Sequence, residues 1–339
     1  MFSISSNVSK NRRRALAYGS IGIGTALLFS GCAATGSGEE NEGGATTIRV
    51  IEANLHDPTI LGAEAGDFLD IWSECSPEVD VEVTAGEKVA EAVAANSADI
   101  GIASPNRVIG AISQGLEASI IGASTPVWDQ FLIISSDNPA TDFDQLKGST
   151  FGISSFGSAG HYATEKMART EGWDADEFEI VTMGSIDGIK AGLKSGTVDG
   201  FLWSAQTAFG LELDGDAKVL GNVRELVGDN AMNVLFASDK ILEENPEAVK
   251  SFAECYYKAV VEIQNDEELA LDLFVGEWDI DPRVAERVIS DELPLLSSDG
   301  VLTPEMLEGM LEATHFTIES AKDVTVDDVT AMYKSWKDL

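Results

Sequence analysis

A run of small residues, SSFGSAGH over residues 154–161, follows a predicted strand and precedes a predicted helix. Glycines at such a junction let the backbone approach a ligand, serines supply hydroxyl groups, and the first turn of the helix offers unpaired N–H groups. Together these groups can bind an oxyanion without a cationic side chain. The same residues also fit an ordinary strand-to-helix turn with a serine N-cap, so the motif alone leaves both interpretations open.

Sequence motifs of enzymes are missing from this chain. Phe156 stands where the G-x-S-x-G nucleophile motif needs its first glycine, and neither H-E-x-x-H nor a glycine-rich phosphate loop with its lysine occurs. No residues have the spacing of metal ligands. A carboxylate pair among the 58 acidic residues remains an open alternative, but nothing selects one. We therefore predict no catalytic residue, no metal and no cofactor.

The composition is strongly acidic. Against the 58 acidic residues stand 22 basic ones, for a formal net charge of -36, so the mean surface field repels phosphate backbones. Nucleic acid is therefore excluded as a partner. The acidity fits either a solvated surface or adaptation to high salt, and the sequence does not separate the two.

The N-terminus has the pattern of an export signal. Residues 10–14 carry four positive charges, and residues 15–31 are uncharged and end in LLFSG before Cys32. This run is shorter than the approximately 20 apolar residues of a spanning helix and contains glycines, so we predict a signal peptide over residues 1–31 that is removed. FSGC resembles a lipobox, which makes Cys32 the predicted lipid attachment site. An ordinary secretory peptide is the alternative, and export by the general or the twin-arginine route stays open.

Residues 32–45 are small and polar with no apolar period, which predicts a flexible tether. Beyond it, Cys75 and Cys255 both fall in amphipathic helical patterns. They are either two buried thiols or a disulfide, and the sequence leaves their pairing open.

From Thr46 onward the chain alternates strands and helices. A second such block begins near Thr125, and we expect each block to be a small parallel-sheet α/β unit. The strand-like NVLFAS, residues 233–238, then gives way to a long helical segment with Ser238 as its N-cap, followed by helices that begin at Pro282, Pro304 and Val326.

Ligands of open α/β sheets bind beyond the carboxyl ends of the strands, where loops and helix N-termini converge. Trp203 at one strand end either stacks on a ligand or fills the sheet edge, and His161 either contacts ligand or caps its helix. These strand ends contain no arginine or lysine. The predicted ligand-binding residues are Asn54, His56, Gly86, Ser104, Ser155, Phe156, Gly157, Ser158, His161, Ser185, Trp203 and Ser204.

Three segments carry a family resemblance: LKGSTFGISSFGSAGHYA, IKAGLKSGTVDGFLW and EENPEAVKSFAECYYKAVVEIQND. In their order and spacing, residues 46–278 resemble the nitrate/sulfonate/taurine-type substrate-binding proteins of ABC importers. The resemblance implies an α/β, two-lobed periplasmic-binding-protein-like fold of type II with two crossovers and a helical C-terminal segment. It places residues 46–124 and 231–339 in lobe 1 with the helical tail, and residues 125–230 in lobe 2.

The resemblance also implies a function. The protein is expected to be a monomeric lipoprotein, anchored through Cys32 to the outer face of the cytoplasmic membrane, that passes a small molecule to ABC permease subunits. Sulfonates, nitrate, carboxylates and heterocycles are the ligand classes of such proteins. A ligand-sensing lipoprotein and a secreted enzyme on the same fold are the alternatives.

Overall fold

The described residues form ten strands in two five-stranded sheets. The first sheet has the order β2-β1-β3-β10-β4 and the second the order β7-β6-β8-β5-β9. The strands are β1 (Thr46–Glu52), β2 (Val79–Ala85), β3 (Ile100–Ala103), β4 (Ala118–Thr125), β5 (Phe131–Ser135), β6 (Thr150–Ile153), β7 (Glu179–Thr182), β8 (Gly200–Trp203), β9 (Ala217–Asn222) and β10 (Asn233–Ser238).

Both sheets are mixed, which corrects the expectation of parallel sheets. In the first, β10 runs antiparallel between β3 and β4, and in the second, β5 runs antiparallel to both β8 and β9. Each of these two strands, β10 and β5, is the first that the chain forms after crossing from the other sheet. The chain therefore enters the sheet from the opposite end of the neighbouring strands, and the new strand runs antiparallel to them.

The chain crosses between the sheets twice, after β4 and after β9. The two crossing segments lie side by side, since the Met232 amide donates to the Thr125 carbonyl oxygen at 2.8 Å. Trp128 and Asp129 in the first crossing are fully buried. The lobe boundaries at residues 124 and 231 stay a prediction.

Fourteen α-helices surround the sheets in the described residues, joined by short 3₁₀ turns and one π turn over Asp272–Glu277. The helices are α1 (Gly62–Phe68), α2 (Ile71–Cys75), α3 (Val89–Ala94), α4 (Pro105–Ser113), α5 (Ala159–Thr170), α6 (Ile186–Ser195), α7 (Ala205–Asp214), α8 (Arg224–Val227), α9 (Asp239–Glu244), α10 (Pro246–Asn265), α11 (Glu267–Leu271), α12 (Pro282–Asp291), α13 (Pro304–Thr317) and α14 (Val326–Met332).

The predicted long helical segment after β10 is two helices. Ser238 caps α9 as predicted, accepting from the Ile241 amide, but the helix ends before Asn245. Asn245 has φ -145° and ψ 59°, since a residue before proline is pushed out of the helical region and Pro246 follows it. Helix α10 then buries the predicted apolar stripe against the first sheet.

Cys75 at the end of α2 and Cys255 in α10 form a disulfide, with their Cα atoms 5.8 Å apart. The bond ties α2 to the long helix α10, across a sequence separation of 180 residues. This resolves the pairing that the sequence leaves open.

The structure describes residues 46–75, 79–86, 88–228 and 230–339. The predicted signal peptide, the tether over residues 32–45 and Cys32 lie outside these residues. Within them, no helix is long and apolar enough to span a membrane.

Candidate functional site

A small cavity of about 90 Å³ lies where strand ends of both sheets meet, and we call it the polar cleft. The first sheet contributes the residues after β1 and β3, the second those after β6 and β8, and the two crossings supply the rest. Its walls are Ala53, Asn54, Asp57, Thr59, Ala103, Ser104, Arg107, Gln130, Ser154, Ser158, Ala159, Gly160, Trp203, Ser204, Met232 and Asn233.

On the side of the second sheet, the N-terminus of α5 borders the polar cleft. Ser158 is the N-cap, and its hydroxyl accepts from the His161 amide at 3.2 Å. Ala159 and Gly160, the first two residues of the helix, line the cavity. The first amides of a helix have no partners within it, and they carry the positive end of the helix dipole. This edge therefore suits an anionic or electron-rich group.

On the side of the first sheet, Arg107 lines the polar cleft from the first turn of α4. Its Nη2 donates to the hydroxyl oxygen of Ser155, which follows β6 of the second sheet. The expectation of a site without cationic side chains is therefore wrong. The guanidinium group adds a fixed positive charge to the same cavity as the α5 N-terminus.

Asp57 brings a carboxyl group to the polar cleft. One of its oxygens, Oδ1, accepts from the Thr59 amide at 3.0 Å and from the Thr59 hydroxyl at 2.7 Å. Burial raises the pKa of Asp57, and the hydrogen bonds from Thr59 oppose that shift. The cavity thus holds both a cation and a carboxyl group.

Two further walls can contact a ligand. Trp203 at the end of β8 is half-buried and presents an aromatic surface. Gln130 in the first crossing is 6% exposed, and its Oε1 has no hydrogen-bond partner among the residues that the structure describes. A buried acceptor of this kind suits a donor group on a ligand.

A hydrogen bond joins the two halves next to residues that line the polar cleft. Asn106 of α4 is fully buried, and its Nδ2 donates to the Gly157 carbonyl oxygen at 2.7 Å and to Thr317 Oγ1 at 2.9 Å. Ser104 Oγ lies 3.5 Å from the same Gly157 oxygen. The loop after β6 is thus held against the first turn of α4.

His161 holds this loop through a hydrogen bond to its backbone. It is 5% exposed, and its Nδ1 accepts from the Gly157 amide at 3.0 Å. Burial lowers the pKa of His161 from 6.5 to about 4, so the ring is neutral near pH 7 and keeps the lone pair that this bond needs. Gly157 has φ +80°, a conformation that favours glycine.

The predicted site residues divide into three groups by position. Five line the polar cleft, and Ser155 and Phe156 line a neighbouring groove. The other five lie outside the walls of both cavities. The five cleft residues are Asn54, Ser104, Ser158, Trp203 and Ser204, and the five outside are His56, Gly86, Gly157, His161 and Ser185.

Three of the predicted residues that lie outside the walls make contacts elsewhere in the structure. The His56 amide donates to Glu64 at 2.7 Å, and its ring stacks on Trp278 with centroids 5.5 Å apart. Ser185 caps α6 by accepting from the Gly188 amide, and the Gly86 amide donates to the Glu52 carbonyl oxygen.

Arg107 is the main residue that sequence reasoning misses. It stands three positions after Ser104, inside a predicted helix, whereas the residue predicted for the site in this segment, Ser104, lies at the strand end. A helix that begins at a strand end turns its first residues toward the same edge of the sheet, and this is the signal that points to Arg107. Gln130 and Thr59 are missed for the same reason, since each lies beyond a strand end.

Among the described residues, no group of three or more His, Cys, Asp or Glu side chains has the geometry to hold a metal ion.

Similar proteins share the fold over most of the chain. A curated Bacillus subtilis (strain 168) protein, provisionally named an aliphatic sulfonates-binding protein, is 24% identical over 314 residues, covering 91% of this chain and 92% of that one. The alkanesulfonate-binding protein of Xanthomonas axonopodis pv. citri bound to MOPS has a TM-score of 0.74 at 16% identity, over 86% of this chain and 99% of that one. The periplasmic aliphatic sulphonate binding protein of Escherichia coli has a TM-score of 0.68 at 16% identity, over 84% of this chain and 90% of that one.

A desulfurization enzyme also shares the fold, with a TM-score of 0.60 at 13% identity, over 85% of this chain and 96% of that one. Similarity of fold therefore does not by itself separate binding proteins from enzymes.

The predicted fold class, an α/β periplasmic-binding-protein-like fold with two crossovers and a helical C-terminal segment, is confirmed by these structures. The predicted relationship to sulfonate-type substrate-binding proteins is confirmed as well. Residues 77–270, more than half of the 339-residue chain, match the family described as NMT1/THI5 like. The chain belongs to the NMT1/THI5-like family.

Proposed function

We propose that this protein is an extracytoplasmic solute receptor that captures a small organic anion, of the sulfonate class, and delivers it to an ABC importer. One observation carries the proposal: Arg107 from one half and the N-terminus of α5 from the other face the same cavity. An anion held by both joins the two halves. Its binding therefore favours the closed form.

A local site for an anion must overcome the field of the whole chain. The formal net charge of -36 repels anions at long range, but salt screens that repulsion beyond about 8 Å at physiological ionic strength. Within the cavity, charge-assisted hydrogen bonds from a guanidinium and from helix amides act at contact distance. Short-range attraction therefore dominates where the ligand sits.

The relatives support the same ligand class, since their names refer to sulfonate binding. We infer capture without turnover, because the described cleft presents one carboxyl group already bonded to Thr59 and no nucleophile with an adjacent base. His161, the histidine nearest the cleft loop, gives its Nδ1 lone pair to Gly157.

The N-terminal sequence supports attachment to the membrane. Basic residues, an uncharged run and FSGC precede the polar tether, and together they favour cleavage before Cys32 and lipidation of its thiol. The receptor would then stay next to its permease. A Cys32→Ser variant should appear in the culture medium, and continued retention by the membrane would refute the anchor.

A ligand screen on the full chain tests the receptor function. We expect methanesulfonate or a larger sulfonate to raise the melting temperature, whereas nitrate, bicarbonate, acetate and thymine raise it less. Mass spectrometry of the ligand after long incubation should recover it unchanged. Conversion of the sulfonate to another compound would mean that the protein is an enzyme on this fold.

A further inference from the structure

A second cavity of about 860 Å³ adjoins the polar cleft, and we call it the apolar groove. Three residues line both cavities: Ala103, Arg107 and Ser154. The two spaces therefore adjoin at these three residues. The walls of the groove are Lys88, Val89, Ala90, Glu91, Ala94, Ala103, Arg107, Val108, Gly110, Ala111, Gln114, Gly115, Leu116, Ser154, Ser155, Phe156, Gly184, Ile318 and Ser320.

The groove runs between apolar surfaces. Helices α3 and α4 supply aliphatic side chains, among them the buried Val89 and Val108. Phe156 and Ile318 line it as well. Phe156 is 64% exposed, more than any other large apolar side chain in the described residues. An aromatic ring left this accessible beside an apolar cavity has the geometry to stack on a ligand.

The sizes of the two cavities indicate how a ligand divides between them. The polar cleft, at about 90 Å³, is much smaller than the roughly 300 to 1,000 Å³ typical of sites for organic ligands, so it suits a compact head such as a sulfonate. The organic body of a larger anion must leave the polar cleft. The apolar groove lies within the range of roughly 300 to 1,000 Å³ typical of sites for organic ligands.

We propose that the apolar groove is a second subsite, which takes the aromatic body of an arylsulfonate whose anionic head lies in the polar cleft. This inference rests on the proposed function. Arg107 stands between the two subsites, next to the head, while the ring extends toward Phe156. Because the two cavities share walls at Ala103, Arg107 and Ser154, the occupant of the groove is assigned to the same small molecule rather than to a separate partner.

Two ligands that share a head and differ in their body test this subsite. Methanesulfonate and 2-naphthalenesulfonate are titrated into the full chain by calorimetry, and their ratio of dissociation constants reports on the groove. We expect the naphthalene compound to bind at least about tenfold more tightly, because it buries apolar area in the groove.

Two variants change walls of the groove at residues that do not line the polar cleft. Phe156→Ala removes the exposed ring and should reduce the preference for naphthalenesulfonate about threefold to tenfold, the effect of one aromatic pair. Ala111→Trp fills the groove from α4 and should abolish the preference. Leu213→Ala, a truncation of another exposed apolar side chain at 37% exposure, is the matched control and should leave the ratio unchanged.

The outcomes separate this inference from the proposed function. If the wild type binds both sulfonates with equal affinity, or if both groove variants keep the full preference, the second subsite is refuted while the receptor function stands. If neither sulfonate binds the wild type, the proposed function fails and the subsite fails with it.

Discussion

Asn106 and Gly157 join the two halves of the molecule through one buried hydrogen bond of 2.7 Å between Asn106 Nδ2 and the Gly157 carbonyl oxygen. Asn106 lies in the first turn of α4, which follows the first sheet, and Gly157 lies in the loop before α5 of the second. Arg107 follows Asn106 in the sequence and Ser158 follows Gly157, and both Arg107 and Ser158 line the polar cleft. One contact therefore joins the two segments that carry these walls of the polar cleft.

Removing this contact should weaken both the fold and the binding of ligand. Asn106→Ala leaves the Gly157 oxygen with only the 3.5 Å hydrogen bond from Ser104 and removes the donor to Thr317, so we expect the free energy of unfolding to fall by about 1 to 3 kcal/mol. Affinity for methanesulfonate should fall too, since the closed form loses a contact. Urea unfolding and calorimetry measure the two effects. Ser113→Ala on the same helix is the control, and an Asn106 variant indistinguishable from it would contradict this role.

Trp203 should contribute to affinity through its aromatic surface. We expect Trp203→Ala to weaken methanesulfonate binding several-fold without unfolding the protein, because the wall of the cleft loses its largest apolar group. Trp203→Phe retains a ring and should bind within about threefold of the wild type. Equal affinity in the wild type and the alanine variant would place Trp203 in the core rather than in the site.

The disulfide between Cys75 and Cys255 should stabilise the first half without affecting the ligand. Reducing it, or replacing both cysteines by alanine, is expected to lower the free energy of unfolding by about 2 to 5 kcal/mol, because the bond closes a long loop in the unfolded chain. Neither cysteine lines the polar cleft, so affinity should be unchanged in native conditions. A reduced protein as stable as the oxidised one would contradict the prediction.

His161 should make stability depend on pH between 6.5 and 4. Its pKa is about 4 in the folded protein and near 6.5 when unfolded, so in this window the unfolded chain binds a proton that the folded chain does not. Stability is therefore lost as the pH falls, by roughly 3 kcal/mol at most from this residue.

Unfolding titrations of the wild type and of His161→Asn at pH 7, 5.5 and 4 measure this dependence. The asparagine oxygen can still accept from the Gly157 amide but does not titrate, so the variant should lose less stability on acidification. Identical pH profiles for the two proteins would mean that His161 titrates normally.

Strand positions follow from the sequence because local patterns determine them. VDVEVTA alternates apolar and polar residues and coincides with β2 (Val79–Ala85), and NVLFAS coincides with β10. The strand β9 (Ala217–Asn222) is missed, since AKVLGN has only short apolar runs and sits at an edge of its sheet. The direction of β5 and β10 depends on how the chain crosses between sheets, which local patterns do not contain.

Site residues are predictable where a strand ends and less so beyond it. Ser104 and Ser158 follow from the strand-end rule, but Arg107 depends on which face of α4 turns inward. The pairing of Cys75 with Cys255 depends on tertiary structure, because 180 positions separate the two cysteines in the sequence and no local pattern links them.

Titration of methanesulfonate into Arg107→Gln tests the central claim most directly. The variant keeps a polar side chain but loses the charge beside the head group, so we expect the dissociation constant to rise about tenfold to a hundredfold. Lys88→Gln removes one positive charge near the apolar groove without touching the polar cleft, and its affinity should stay within about twofold of the wild type. Wild-type affinity in Arg107→Gln, or an equal loss in Lys88→Gln, would contradict an anion site built around Arg107.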